Sequence, residues 1–254
     1  MIRDFTSTRL FVRAPLGKGS AVDLDRAQAN YLVNVMRLGV GDSVLVFNGS
    51  DGEWRAGLAA TGKKAWRLEV TECTRNQTPA PDLQYLFAPL KHARLDYMVE
   101  KAVEMGAGRL RPVLTRHGQV ARINIERMEA NAIEAAEQCG ILSIAAIDAP
   151  VALPDLIGAW AAKEGKRRVV FCDEGEETAD PIRVLSALPP SPLAVLVGPE
   201  GGFAEEERKI LRAAPFVTAI SLGPRILRAD TAAVAALAIV QAVVGDWRGR
   251  QSGA

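Results

Sequence analysis

Hydrophobic positions in this chain fall in short runs punctuated by glycine and proline, and the pattern is sharpest between Leu193 and Trp247. There the unbroken run Leu193-Ala194-Val195-Leu196-Val197 is followed by Gly198-Pro199-Glu200-Gly201-Gly202, then by three glutamates, Glu205, Glu206 and Glu207. A second run, Phe216 to Leu222, leads to Gly223-Pro224-Arg225-Ile226-Leu227-Arg228 and a long helix from Asp230 to Gly245. Continuous apolar runs bounded by Gly and Pro suit strands buried on both faces, as in a parallel sheet. Glutamates in a first helical turn complement the helix dipole. The order strand, loop, helix, strand, loop, helix therefore predicts an α/β arrangement with two glycine loops at the carboxyl edge of one sheet, where ligands of open α/β sheets bind.

The same reading extends upstream. Leu83–Ala88, Leu110–Leu114 and Arg168–Cys172 read as strands, and His92–Met105, Glu126–Cys139 and residues 155–164 as helices. The loop Asp173-Glu174-Gly175 would reach the same sheet edge. Residues 1–75 differ. Leu10-Phe11-Val12 and Ser43–Phe47 are strand-like, and the turn Asn48–Gly52 joins the second of them to Glu53–Leu58 as a hairpin. Gln28–Leu38 reads as a short helix with Tyr31, Leu32, Val35 and Met36 on one face, stopping at Gly39. Pro79 and Pro81 within Asn76–Asp82 mark a linker. The expected organisation is a small β-rich domain over 1–75 and an α/β domain over 76–254, with Arg248–Ala254 a frayed tail.

Composition narrows the classes. With 254 residues, 48% hydrophobic and 24% charged, the chain is of ordinary globular type. A net charge of +1 supplies no global field for nucleic acid. Locally, residues 91–127 carry 8 Lys and Arg against 4 Asp and Glu, the clearest basic excess. Cys73, Cys139 and Cys172 lie far apart and only His92 and His117 accompany them, so neither a disulfide framework nor a metal site is supplied. The most apolar segment, Thr231–Val244, is too short to span a bilayer and contains Gln241. Arg3, Asp4 and Arg9 interrupt any signal peptide. The expectation is a cytoplasmic protein without membrane or metal.

The loops themselves exclude two phosphate cradles. Gly198–Gly202 lacks the Gly-x-Gly-x-x-Gly spacing, and Pro199 removes a backbone donor. No Gly-Lys-Ser/Thr follows, and Glu200 would repel a polyphosphate. Two glycines, a proline and a carboxylate suit a neutral or cationic ligand packed against backbone. Plain chain reversal explains the spacing equally well.

Val197-Gly198-Pro199-Glu200-Gly201-Gly202-Phe203, followed by Leu222-Gly223-Pro224-Arg225-Ile226-Leu227-Arg228-Ala229-Asp230-Thr231-Ala232, resembles the paired motifs of one SPOUT-class family. That family is the small-subunit ribosomal RNA uridine-N3 methyltransferases, the E member of the Rsm set, and the likeness runs from Arg9 to Trp247. The resemblance implies a PUA-like β-barrel over 1–75 that grips RNA. It also implies a SPOUT methyltransferase domain over 76–254, its parallel sheet flanked by helices and its C-terminal segment tied in a trefoil knot. It implies S-adenosylmethionine as cofactor, N3 of a uridine in 16S ribosomal RNA of the small subunit as target, and a homodimer through the knotted segment and last helix.

Carried onto this chain, the cofactor-binding positions are Leu196, Gly198, Pro199, Glu200, Gly201, Gly202, Leu222, Gly223, Ile226, Leu227, Thr231 and Ala232. Arg228 is the candidate for steadying charge on the target base, and Glu200 and Asp230 are the nearest carboxylates for a base. Arg9, Arg37, Lys91 and Arg94 are the candidate RNA contacts. Three positions depart from the family: Asp230 stands for Glu, Ile141 for Arg and Ala145 for Pro. The missing Arg keeps open a related knotted methyltransferase with another RNA substrate. A non-catalytic RNA-binding assembly factor is the third reading, opposed by the intact glycines and Arg228.

Overall fold

The computed structural model of the protein describes residues 6–63, 65–118, 122–175 and 180–248. Of the expected frayed tail, residues 249–254 lie outside the described residues. The chain divides into two compact units, Met1–Ala80 with Ile133–Ile144, and Pro81–Ala132 with Ala145–Ala254. The return of residues 133–144 to the first unit has no signal in the sequence pattern.

In the first unit, β1 (Arg9–Phe11), β2 (Ala21–Asp23), β3 (Ser43–Phe47), β4 (Glu53–Ala60) and β5 (Trp66–Arg75) form one sheet in the order β1-β3-β4-β5-β2. Only the β1–β3 pairing is parallel. The hairpin pairs Phe47 with Glu53, and Asn48 closes its turn by accepting the Ser50 and Asp51 amides at 3.0 and 2.9 Å. Val44, Val46, Ala56, Leu58 and Leu68 pack with Leu32 as the core.

The expected helix differs from its sequence reading. A capping box of Asp25 and Gln28 opens α1 (Arg26–Asn30), which then widens into a π-helical segment, Tyr31–Val35. The wider turn breaks the expected shared face: Leu32 is buried, whereas Tyr31, Val35 and Met36 are exposed. The helix ends at Val35, four residues before Gly39, because Arg37 takes the left-handed conformation at φ +59° and the Leu38 amide reaches back to the Leu32 carbonyl.

In the second unit the strands are β6 (Leu83–Phe87), β7 (Arg109–Leu114), β8 (Ala146–Ile147), β9 (Val151–Ala152), β10 (Arg168–Cys172), β11 (Leu193–Val197) and β12 (Val217–Ile220). The helices are α2 (His92–Glu104), α3 (Ile125–Cys139), whose last turns belong to the first unit, α4 (Leu153–Glu164), α5 (Pro181–Ser186), α6 (Glu205–Ala213) and α7 (Ala229–Val243). The sheet runs β12-β10-β11-β6-β7-β8, with β9 also on β7, and every pairing is parallel.

β11 is buried at every position because both sheet faces are covered. On one face Leu86, Val169, Phe171, Ala194 and Leu196 pack against Leu153, Ile157 and Trp160 of α4 and Leu211 of α6. Alternation sends Tyr85 to the other face, where its hydroxyl meets Met98 Sδ of α2 at 3.3 Å and α7 packs on β11. Gln241 is the polar exception inside α7. Buried, it donates to the Met105 carbonyl at 2.8 Å and accepts the Asp246 amide at 3.0 Å, joining the ends of α2 and α7. Among the described residues no helix is long and apolar enough to cross a membrane.

Candidate active site

Strand register creates the site. Cys172 at the end of β10 lies level with Val197 of β11 and Ile220 of β12, so the three following loops leave the same sheet edge side by side. β11 lies on one flank of β10 and β12 on the other. Such a reversal of growth across a parallel sheet is where α/β folds leave a crevice.

The crevice is a cavity of about 620 Å³, within the range of small-ligand sites. Asp173 and Glu174 line it from the first loop, Gly198 to Glu200 with Gly202 and Phe203 from the second, and Ser221 to Leu227 from the third. Ala229 and Ala232 complete it from α7. Two glycines here are structurally required. A Cβ on Gly198 would strike the Phe203 ring, and Gly202 is left-handed at φ +69°, a conformation that a residue with a Cβ adopts only under strain.

The walls are fixed from behind. The buried Asp173 carboxylate pairs with Arg212 at 2.8 Å and Arg208 at 3.2 Å, both from α6, and accepts the Gly175 amide at 3.0 Å. Glu207, also buried, accepts the Ala204 amide at 2.9 Å and the Arg116 amide at 2.8 Å, pinning the start of α6 to the segment after β7. In that segment His117 Nδ1 lies 3.1 Å from the Gly202 carbonyl. The carbonyl can only accept, so Nδ1 carries the proton.

Nine of the twelve expected cofactor positions line the cavity: Gly198, Pro199, Glu200, Gly202, Leu222, Gly223, Ile226, Leu227 and Ala232. Three do not. Leu196 points into the core beneath α4. Gly201 lies over His117, where an added Cβ would meet the His117 Cβ at 3.3 Å. Thr231 is exposed on α7 and its amide donates to Asp230 Oδ1 at 2.9 Å. Sequence reasoning missed Phe203, whose signal was its place inside the first motif. It also missed Pro181 of α5, for which a six-residue helix leaves no periodicity to read.

The candidate charged groups separate sharply. Arg94, in the first turn of α2, ion-pairs with Glu200 through Nη1 and with Asp230 through Nε, the latter at 2.9 Å. The guanidinium holds the Asp230 carboxyl below the ordinary carboxylate range, which makes it a weak proton acceptor. Arg228 occupies the N-cap position of α7, is exposed, and has no ion-pair partner among the described residues. Burial pushes the Cys172 thiol up to about 12, so it is no nucleophile at neutral pH.

Arg9, an expected RNA contact, has a side chain only 6% exposed with its Nε 3.0 Å from Glu53 Oε2, so a phosphate could reach it only by breaking a buried ion pair. Arg37 and Lys91 are exposed. Ile141, standing where the family has Arg, is a partly buried hydrophobe packed with Phe47, Ala136 and Leu142 of the first unit. Among the described residues no three His, Cys, Asp or Glu side chains gather as a metal ion would require.

The family model of the RNA methyltransferase domain matches residues 76–241, and that of the RNA methyltransferase PUA domain matches residues 24–71. The ribosomal RNA small subunit methyltransferase E of Rickettsia conorii is 31% identical over 235 residues, 92% of this chain and 94% of its own. Among solved structures, the ribosomal RNA small subunit methyltransferase E of Neisseria gonorrhoeae bound to S-adenosyl methionine matches with a TM-score of 0.77 and 25% identity, over 95% of this chain and 99% of its own. A methyltransferase of Legionella pneumophila in complex with the cofactor SAM matches with a TM-score of 0.79 and 26% identity, over 93% of this chain and 97% of its own.

Proposed function

This chain belongs to the ribosomal RNA small subunit methyltransferase E family, and on that premise we propose that it transfers the methyl group of S-adenosylmethionine to N3 of a uridine in 16S ribosomal RNA of the small subunit. The observation that carries the reading is the single cavity that both glycine loops line at the carboxyl edge of the sheet.

The cavity fits this cofactor in size and in chemistry. Leu222, Leu227 and Ala232 offer apolar walls for a base and ribose, and the glycines leave backbone bare for close approach. When bound, S-adenosylmethionine supplies an electrophilic methyl group on a sulfonium sulfur. The protein's own task is to hold the two partners in line and to steady charge. Uracil N3 must lose its proton, and Arg228, beside cavity-lining Leu227 and unengaged by any carboxylate among the described residues, is the group that stabilises the resulting anion. Arg94 lowers the proton affinity of Asp230 and makes it a poor base, so the N3 proton passes to solvent water rather than to a side chain. Arg37 and Lys91 are the assigned phosphate contacts.

The outward face of α7, with Val234, Ala235, Ala238 and Ile239 only partly covered, is the assigned homodimer surface; a monomer in sedimentation at micromolar concentration contradicts that assignment. The reaction itself is tested with labelled S-adenosylmethionine and small ribosomal subunits lacking the modification, alongside naked ribosomal RNA and transfer RNA. Label mapped to N3 of one uridine of 16S ribosomal RNA is the expected result. Label confined to another RNA, or absent altogether, overturns the assignment.

A further inference from the structure

We propose that Arg94 is a positioning residue of the cavity rather than an RNA contact: its guanidinium ties the loop after β11, through Glu200, to the start of α7, through Asp230, and so fixes the separation of two walls. The inference rests on the reading of this cavity as the methyl-donor site only for its effect on the cofactor.

Three observations support it. Arg94 lies in the first turn of α2, a helix with no acidic residue in that turn. A cation there faces the positive end of the helix dipole and is disfavoured by its own helix. Local rules broken in this way are expected where a residue serves something beyond its own element. The two carboxylates supply what the helix does not.

The two nitrogens of the guanidinium that carry its hydrogen bonds are both taken by carboxylates. Nε donates to Asp230 and Nη1 to Glu200, while Nη2 is buried without a hydrogen-bond partner. An RNA phosphate would therefore find no free, accessible nitrogen without displacing a carboxylate. Arg225 and Arg228, exposed and unpaired among the described residues, offer phosphate what Arg94 cannot.

The partners are placed to transmit position. Asp230 accepts the Thr231 amide with Oδ1 and Arg94 with Oδ2, so it is anchored to α7 on one side and to α2 on the other. Glu200 stands between Gly198 and Gly202 and, among the described residues, has no ion-pair partner but Arg94. The far end of the same loop is held separately by Glu207 and His117. Arg94 is thus the tie at the open side, where the loop and the wall built from Leu222 to Leu227 approach across the cavity. A planar fork suits this work, because two carboxylates meet it in fixed directions, whereas a lysine ammonium fixes neither.

The test is amide hydrogen exchange on the ligand-free full chain, combined with cofactor titration. Arg94→Ala is expected to speed exchange in both loops, 198–203 and 222–228, by about tenfold, with the unfolding midpoint little changed because the pairs are partly exposed. Glu200→Gln should loosen only the first loop and Asp230→Asn only the second, and Arg94→Lys should restore part of the protection. The affinity for S-adenosylmethionine should fall about tenfold in Arg94→Ala, and no further in the Arg94→Ala/Glu200→Gln double variant, as coupled partners require. In steady state the KM for cofactor rises while the KM for ribosomal subunits holds. Unchanged exchange in both loops overturns the proposal, and so does a rise in the KM for subunits alone. If the wild-type chain binds no S-adenosylmethionine, the methyl-donor reading fails, and the exchange pattern still decides the tie.

Discussion

The arginine and carboxylate cluster around Glu53 and the one around Arg94 use the same chemistry to different ends. In the first, a carboxylate is the centre: Glu53, 2% exposed, accepts Arg9 Nε at 3.0 Å, Arg75 Nε at 2.9 Å, Arg75 Nη2 at 2.6 Å and Thr74 Oγ1 at 2.9 Å. In the second, a guanidinium is the centre, and its partners Glu200 and Asp230 are 40% and 20% exposed. Remove a member of the first cluster and a charge is stranded where water cannot reach. Remove a member of the second and water replaces it. The first cluster therefore belongs to the stability of its unit, and the second to the spacing of two loops. Residue type does not separate them; burial and saturation do.

The largest effect that would break this contrast is at Glu53. Glu53→Ala removes the buried carboxylate that Arg9 and Arg75 share and should cost about 3–5 kcal/mol in urea unfolding of the full chain; a loss as small as that of an exposed pair removes the distinction. Burial alone would raise the Glu53 carboxyl, but hydrogen bonds from Arg75, Arg9 and Thr74 outweigh it and hold the group below its ordinary value of 4.5. A lowered carboxyl stabilises fully above that ordinary value and loses its contribution as pH falls through the folded value. Wild-type stability should therefore fall below about pH 4.5 in part through this group, and Glu53→Gln should show a shallower fall.

A smaller effect is expected at Arg228, which no carboxylate among the described residues pairs with, unlike Arg94. Arg228→Ala should lower kcat for methyl transfer by about 100-fold, the size of one lost charge stabiliser, with cofactor affinity unchanged. A loss of cofactor affinity instead would make it part of the binding wall. The smallest effect sharpens the account of the first unit. Arg37 holds φ +59°, a conformation costly for any residue with a Cβ. Arg37→Gly should raise stability by roughly 0.5–1 kcal/mol in thermal unfolding while weakening RNA binding. Unchanged RNA binding removes Arg37 from the phosphate contacts.

Legibility in the sequence follows the same physical line. β10 and β11 begin and end at the residues that their apolar runs predict, and α6 begins at the first of three glutamates, because burial on both faces and a charged helix start are local signals. The end of α1 was not legible. A π-helical turn shifts the face by a residue, and an arginine, rather than the glycine two residues on, takes the left-handed position. The return of Ile133–Ile144 to the first unit is a long-range packing result, visible only once Phe47, Ala136 and Leu142 are seen together. In the site, the backbone positions were legible through glycine and proline. The surroundings of charged side chains were not: Arg9 and Arg94 look alike in a sequence, and each is paired with a carboxylate more than 40 residues away.

Titration calorimetry of the full chain with S-adenosylmethionine, wild type against Gly202→Val, tests the cavity most directly. A valine there must adopt φ +69°, a conformation that a residue with a Cβ adopts only under strain. The wild type should bind one cofactor per chain saturably, and the variant should lose at least tenfold in affinity with its unfolding cooperativity intact. A wild type that does not bind, or a folded variant that binds as tightly, contradicts the assignment of this cavity.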